Sequence, residues 1–175
     1  MSSWMVVEDE PDIYELLLTM FELWGIDGVA FVEGEEACAW IDDVDQGRYK
    51  GELPEMAIID LRLGGVMQGW DVGERLRKSP VLGNIAVVVI TGFRFPPEEE
   101  ASIRRRMQPD RWINKPLPLL NEMQTLLDQT LAEKRAANAA SVTAEPSKQQ
   151  EAAAPEPRTR RSRSRTRSRR RSTSQ

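Results

Sequence analysis

Apolar side chains come in two rhythms along this chain, and the two alternate. Trp4-Met5-Val6-Val7 is a short continuous apolar run that stops abruptly at Glu8-Asp9-Glu10, as a buried strand does where it emerges from the edge of a sheet. Pro11 suits a first helical turn, where its missing N–H is no loss; Ile13, Leu16, Leu17, Met20 and Leu23 then recur at helical spacing until Gly25. Val29–Val32 predicts a second strand, and Ala37, Trp40, Ile41 and Val44 a second helix before a Gly47–Pro54 loop that reads as a surface insertion. Met56–Ile59 and Ile85–Ile90 are unbroken apolar runs, the pattern of parallel strands covered on both faces. Between them Trp70–Lys78 predicts a helix closed by Ser79-Pro80. Pro96-Pro97 opens another, with Glu98–Glu100 at its positive end and Arg104–Arg106 at its negative end. Trp112-Ile113 gives a last short strand, and Leu119, Leu120, Met123, Leu126, Leu127 and Leu131 the stripe of a final helix.

Five strands alternating with five helices predict an α/β fold: a doubly wound, five-stranded parallel sheet of flavodoxin-like order 2-1-3-4-5. The apolar periodicity stops near Ala136. The boundaries are therefore residues 1–135 for the folded domain and 136–175 for a disordered linker and Arg/Ser-rich tail, whose composition cannot bury enough surface to offset its ordering entropy. Net charge divides at a similar place. The whole chain carries −4, but residues 158–175 hold nine arginines and no acid, while residues 1–157 hold fifteen Lys and Arg against twenty-eight Asp and Glu.

Composition removes many functions. Without histidine and with one cysteine, His-based acid–base catalysis, Ser-His-Asp and Cys-His triads, and His or multi-Cys zinc sites are excluded. Cys38 falls in an apolar helical stripe, which predicts a small buried thiol in a reducing compartment. No apolar stretch approaches the ~20 residues of a membrane span, and the N-terminus lacks a basic region and cleavable apolar core, so a cytoplasmic location is expected.

In open α/β sheets, ligands sit beyond the carboxyl ends of the strands, near the point where strand order reverses. That rule collects Glu8 and Asp9 after strand 1, Asp60 after strand 3, Thr91 after strand 4 and Lys115 after strand 5. Three converging carboxylates repel one another unless a cation joins them. An all-oxygen donor set suits a hard ion, and Mg²⁺ with a phosphoryl group is the economical pairing.

These residues lie in five segments: Val6-Val7-Glu8-Asp9-Glu10-Pro11, Ile58-Ile59-Asp60-Leu61-Arg62-Leu63, Gly69-Trp70-Asp71-Val72, Val89-Ile90-Thr91-Gly92 and Ile113-Asn114-Lys115-Pro116. In this order they resemble the successive signatures of the receiver domain of two-component response regulators, over residues 4 to about 133. The resemblance implies Asp60 as phosphoacceptor and Mg²⁺ held by Glu8, Asp9, Asp60 and the Arg62 backbone carbonyl. It implies Lys115 and Thr91 as phosphoryl contacts, and Thr91 with Trp112 as the switch. It further implies a stand-alone signalling domain rather than an enzyme, switching through the face of helix 4, strand 5 and helix 5 toward an unknown downstream protein. With no histidine in the chain, the donor must be a partner histidine kinase or phosphotransfer protein.

The loop after Asp60 is about one residue longer than that pattern, with Gly64-Gly65 where a proline is common, which predicts a looser loop. Arg104–Arg106 reads by default as a solvated face. Two other functions compete. An aspartyl-nucleophile phosphatase of the haloacid-dehalogenase type is disfavoured, because Arg62 stands where that family places a second Asp. A non-phosphorylated scaffold could act through Arg158–Arg171, binding nucleic acid or another polyanion without sequence specificity, since no aromatic residue interleaves with the arginines.

Overall fold

The structure, a computed structural model, describes residues 2–143. Its strands are β1 (Ser3–Val7), β2 (Asp27–Phe31), β3 (Met56–Asp60), β4 (Ala86–Thr91) and β5 (Arg111–Asn114). The helices that alternate with them are α1 (Pro11–Trp24), α2 (Gly34–Asp45), α3 (Gly69–Lys78), α4 (Pro97–Met107) and α5 (Leu120–Thr143). All neighbouring strands pair in parallel, in the order β2-β1-β3-β4-β5. The predicted fold is therefore the observed one.

The unbroken apolar runs are explained by two cores, one on each face of the sheet. Met5, Val7, Ala57, Ile59, Val87 and Val89 point to the side where Ile41, Val72, Leu76 and Met107 pack. Trp4, Val6, Met56, Ile58, Val88 and Ile90 point to the other, against Leu17, Phe21, Met123 and Leu127. Burying each such side chain contributes about 2 kcal/mol, which outweighs the weak intrinsic preferences of short segments. Gly25 ends α1 in the left-handed conformation at φ 68° and so lets the chain turn directly into β2. Cys38 is buried, and burial pushes its thiol up to about 11, so it behaves as a small apolar side chain.

The C-terminal boundary differs from expectation. Helix α5 continues to Thr143, so residues 136–143 extend the last helix where the lost apolar periodicity had placed the start of a disordered linker. The segment Ala136-Ala137-Asn138-Ala139-Ala140 needs no buried stripe to stay helical, because alanine has the highest intrinsic helix propensity. Asn138 also ties it to the body, donating from Nδ2 to the Asn84 carbonyl at 3.0 Å. The Arg/Ser-rich stretch from Arg158 to Arg171 lies outside the described residues. Among those described, no helix is long and apolar enough to cross a membrane.

Candidate functional site

Strand order reverses at β1, which pairs with β2 on one side and β3 on the other. The register Val7↔Ile59 places the carboxyl ends of β1 and β3 level, so Glu8 and Asp9 leave the sheet beside Asp60. Glu8 is fully buried and Asp60 is 3% exposed, while Asp9 reaches the solvent edge. One oxygen from each of the three carboxylates lies within 4.8 Å of the other two. The predicted convergence is therefore present.

Lys115 reaches this group from the end of β5. Its Nζ donates to Asp60 Oδ2 at 2.8 Å and to Glu10 Oε1 at 2.6 Å. Glu8 Oε2 lies 3.1 Å from the same Nζ, close enough for an ion pair but outside hydrogen-bond geometry, and it has no hydrogen-bond partner elsewhere. Burial alone would lower the Lys115 pKa; hydrogen bonds to Asp60 and Glu10 and the surrounding negative charge outweigh it and raise it, so the ammonium stays charged. Glu8 shows the opposite balance. Burial, with the Asp60 charge adding to it, lifts its pKa from 4.5 to about 7, against the Glu10 N–H that donates to Oε1 and against Lys115. A single lysine does not neutralise this pocket. A buried carboxylate oxygen without a hydrogen-bond partner, among all-oxygen donors, is a site that fits a hard divalent cation.

The strand ends supply the remaining contacts. Asp60 Oδ1 accepts the Arg62 N–H at 3.2 Å, which fixes the carboxylate from its own backbone. Thr91 is fully buried at the end of β4, and its Oγ1 accepts the Phe93 N–H at 3.1 Å. The Lys115 N–H donates to the Thr91 carbonyl at 2.8 Å, joining β5 to β4 at the site, and the Lys115–Pro116 peptide is cis. Gly69 opens α3 against the Asp60 carbonyl; a Cβ there would come within 1.8 Å of that oxygen, so only glycine allows the helix to start so close.

Several contacts were not foreseen. Glu10, which the sequence placed only in the polar stop after the first strand, is a direct partner of Lys115. Arg62 projects its guanidinium among three rings, with Cζ 5.4, 5.2 and 5.5 Å from the centroids of Trp70, Phe93 and Phe95. Arg104–Arg106 are exposed, as read, but the face also makes contacts: Arg104 Cζ sits 4.2 Å over the Trp112 ring and its Nε donates to Glu100. Arg106 likewise bridges Asp71 and Glu74. The glycine-containing loop after Asp60 is also not loose. Gln68 Nε2 donates to the Leu63 and Gly65 carbonyls while its Oε1 accepts the Leu63 N–H, and Glu35 accepts the N–H groups of Val66 and Met67. A Gln at the N-cap followed three residues later by Asp71, the reciprocal capping box seen at α3, was the readable signal for that ordering.

Parallel order 2-1-3-4-5, with carboxylates and a lysine gathered outside the strand ends, defines an α/β domain whose acidic pocket is of the kind that phosphorylation and Mg²⁺ use. Residues 4–128 match the response regulator receiver domain, and the chain belongs to that family of two-component signalling domains. It is similar in fold to a CheY-like response regulator receiver domain protein from Methanospirillum hungatei JF-1, at 18% identity and a TM-score of 0.64, over 78% of this chain and 98% of that one. The signal receiver domain of a modulated diguanylate cyclase from Desulfovibrio desulfuricans G20 is similar at 22% identity and a TM-score of 0.63, with 78% and 98% covered. Chemotaxis protein CheY4 of Vibrio cholerae is similar at 17% identity and a TM-score of 0.61, with 74% and 98% covered. No curated protein matches the chain.

Proposed function

We propose that this chain is a phosphorelay switch that takes a phosphoryl group onto Asp60 from a phosphohistidine of a partner kinase or phosphotransfer protein. The observation that carries the reading is the single buried lysine shared by Asp60 and Glu8, at 2.8 and 3.1 Å. In the step, an ionised Asp60 oxygen attacks phosphorus; the phosphorus–nitrogen bond of the donor breaks, its electron pair returns to the imidazole, and an acyl phosphate forms. Lys115 pairs with the nucleophile at 2.8 Å and offers its ammonium to the incoming oxygens. Glu8, Asp9, Asp60 and the Arg62 carbonyl would hold Mg²⁺, which when bound neutralises the phosphoryl oxygens during transfer.

The switch follows from Thr91. Its hydroxyl now accepts a hydrogen bond from Phe93; turning toward an acyl phosphate, it becomes a donor and gives that contact up. The space it leaves is open to Trp112, whose present packing under Arg104 links β5 to α4. Output is then the binding of a downstream protein at the face of α4, β5 and α5. The arginines of 158–171 add a salt-sensitive, sequence-independent affinity for polyanions, tested by comparing RNA and DNA binding of the whole chain with that of residues 1–143. For the switch itself, incubation with a small phosphodonor and Mg²⁺ followed by intact-mass measurement gives one labile phosphoryl adduct on the wild type and none on Asp60→Asn. Equal labelling of the two sinks the reading.

A further inference from the structure

We propose that Glu35 is a positioning residue for the phosphorylation site: from α2 it pins the β3–α3 loop and so fixes the Arg62 carbonyl and the Gly64 backbone beside Asp9. This inference rests on the Mg²⁺-dependent phosphoacceptor reading of Asp60.

Glu35 stands in the first turn of α2, where the helix dipole favours a carboxylate. Its Oε1 accepts two backbone N–H groups from a distant stretch of sequence, Val66 at 2.7 Å and Met67 at 3.1 Å. Both are charge-assisted and so about twice as strong as neutral bonds. Its Oε2 is buried without a hydrogen-bond partner and lies flat against the loop; a Cβ on Gly65 would come within 2.6 Å of it. The contact is mutual, since a Cβ on Gly34, just before Glu35, would meet the Met67 carbonyl oxygen at 2.7 Å. A Cβ on Gly64, one residue earlier in the loop, would lie 3.2 Å from Asp9 Oδ2. The loop therefore runs from Asp60, past Asp9, to an anchor on a helix that carries no other part of the site.

The physical consequence concerns entropy. Gly64-Gly65 gives this loop extra backbone freedom, and without the Glu35 contacts its Val66-Met67 end must be ordered when a cation takes the Arg62 carbonyl, an ordering that is subtracted from the binding free energy. Glu35 meets the requirement in advance. The adjacent Glu36 is exposed and carries the same charge without reaching the loop, so it separates positioning from a field effect.

The test uses the full chain, with Mg²⁺ titrated by calorimetry and amide exchange measured in metal-free protein. Glu35→Ala should speed exchange at Val66 and Met67 and weaken Mg²⁺ roughly tenfold, the size found for outer partners of metal ligands. Glu35→Gln, whose amide oxygen still accepts, should restore most of both effects, and Glu36→Ala should change neither. Unaltered Mg²⁺ affinity in Glu35→Ala overturns the proposal, as does an equal loss in Glu36→Ala. If Glu35→Ala does not fold, Gly65→Ala, which drives a methyl group into Oε2, must give the same weakening; unchanged affinity there is equally fatal. A wild-type chain that binds no Mg²⁺ overturns the phosphoacceptor reading itself, whatever the exchange rates at Val66 and Met67.

Discussion

Residues 1–47 and residues 48–143 are built on opposite charge terms. The first stretch, which makes β1, α1, β2 and α2, contains thirteen carboxylates and no lysine or arginine; the second contains fourteen cations and twelve carboxylates. Several acids of the first stretch are met by cations from the second. Lys115 crosses to Glu8 and Glu10, and Arg75 crosses to Asp42 and Asp45. The exposed Asp12, Glu15, Glu22 and Glu36 stay in solvent, where screening makes their repulsion small. The two crossings differ in kind. Arg75 meets two acids at the surface, whereas Lys115 meets three in a pocket that also holds Asp9, and the pocket remains negative. A surplus of buried negative charge is the electrostatic condition for taking up a cation, and it arises in part because residues 1–47 supply only acids, Glu8 and Asp9 among them.

The comparison breaks most visibly at Lys115. Its side chain is 11% exposed, and removing it leaves Glu8 and Asp60 buried without a counter-charge. Lys115→Met should lower stability in metal-free buffer by about 3 kcal/mol, the range for deleting one partner of a buried pair. Saturating Mg²⁺ should recover part of that loss, because the cation takes over the neutralisation. Chemical denaturation with and without Mg²⁺ measures both. A loss below about 0.5 kcal/mol would mean that the pocket is solvated and its charges are screened.

Much of this arrangement was legible before any coordinates. Met56–Ile59 and Ile85–Ile90 could be assigned to buried parallel strands because a strand covered on both faces has no polar alternation to show, and the strand-end rule then gathered Glu8, Asp9, Asp60, Thr91 and Lys115. Glu35 could not be picked out. In the sequence it is indistinguishable from Glu36, and only the path of a loop more than thirty residues away decides which of the two meets Val66 and Met67. The same holds for Arg62 among Trp70, Phe93 and Phe95, a cluster assembled from two loops and the start of a helix. The helical extension to Thr143 was missed for a different reason. Hydrophobic periodicity reports burial, and an alanine-rich turn forms a helix with little to bury.

A smaller effect sharpens the comparison from the side of the cation. If the surplus charge at Glu8, Asp9 and Asp60 is the binding determinant, Mg²⁺ at ten times its dissociation constant should stabilise the chain by about 1.4 kcal/mol, or roughly 3 °C in melting temperature. Asp9→Asn should remove most of that increment while leaving the Lys115–Asp60 pair in place. Glu22→Gln, an equal change of net charge on the exposed face of α1, should leave the increment intact. A melting temperature that rises equally in all three proteins would trace the effect to general screening.

The smallest effect belongs to the surface crossing. Arg75 donates from Nε and Nη2 to Asp42 Oδ1 at 2.9 and 2.6 Å and from Nη2 to Asp45 Oδ2 at 2.7 Å, and Ser79 donates its hydroxyl to Asp45 as well. Partial burial pushes the Asp45 carboxyl up, but the hydrogen bonds from Ser79 and Arg75 outweigh it and hold it below its ordinary 3.8. A carboxylate with a lowered folded pKa contributes stability that is present above its unfolded value and lost as pH falls through the folded one. Arg75→Ala should therefore lower stability by about 1 kcal/mol at pH 7, and the two unfolding curves should converge in acid once Asp45 is protonated in both proteins. Denaturation across a pH series reads this directly. A gap that persists undiminished below the Asp45 transition would assign the loss to the packing of the arginine stem between α2 and α3, and the charge crossing would then be confined to Lys115.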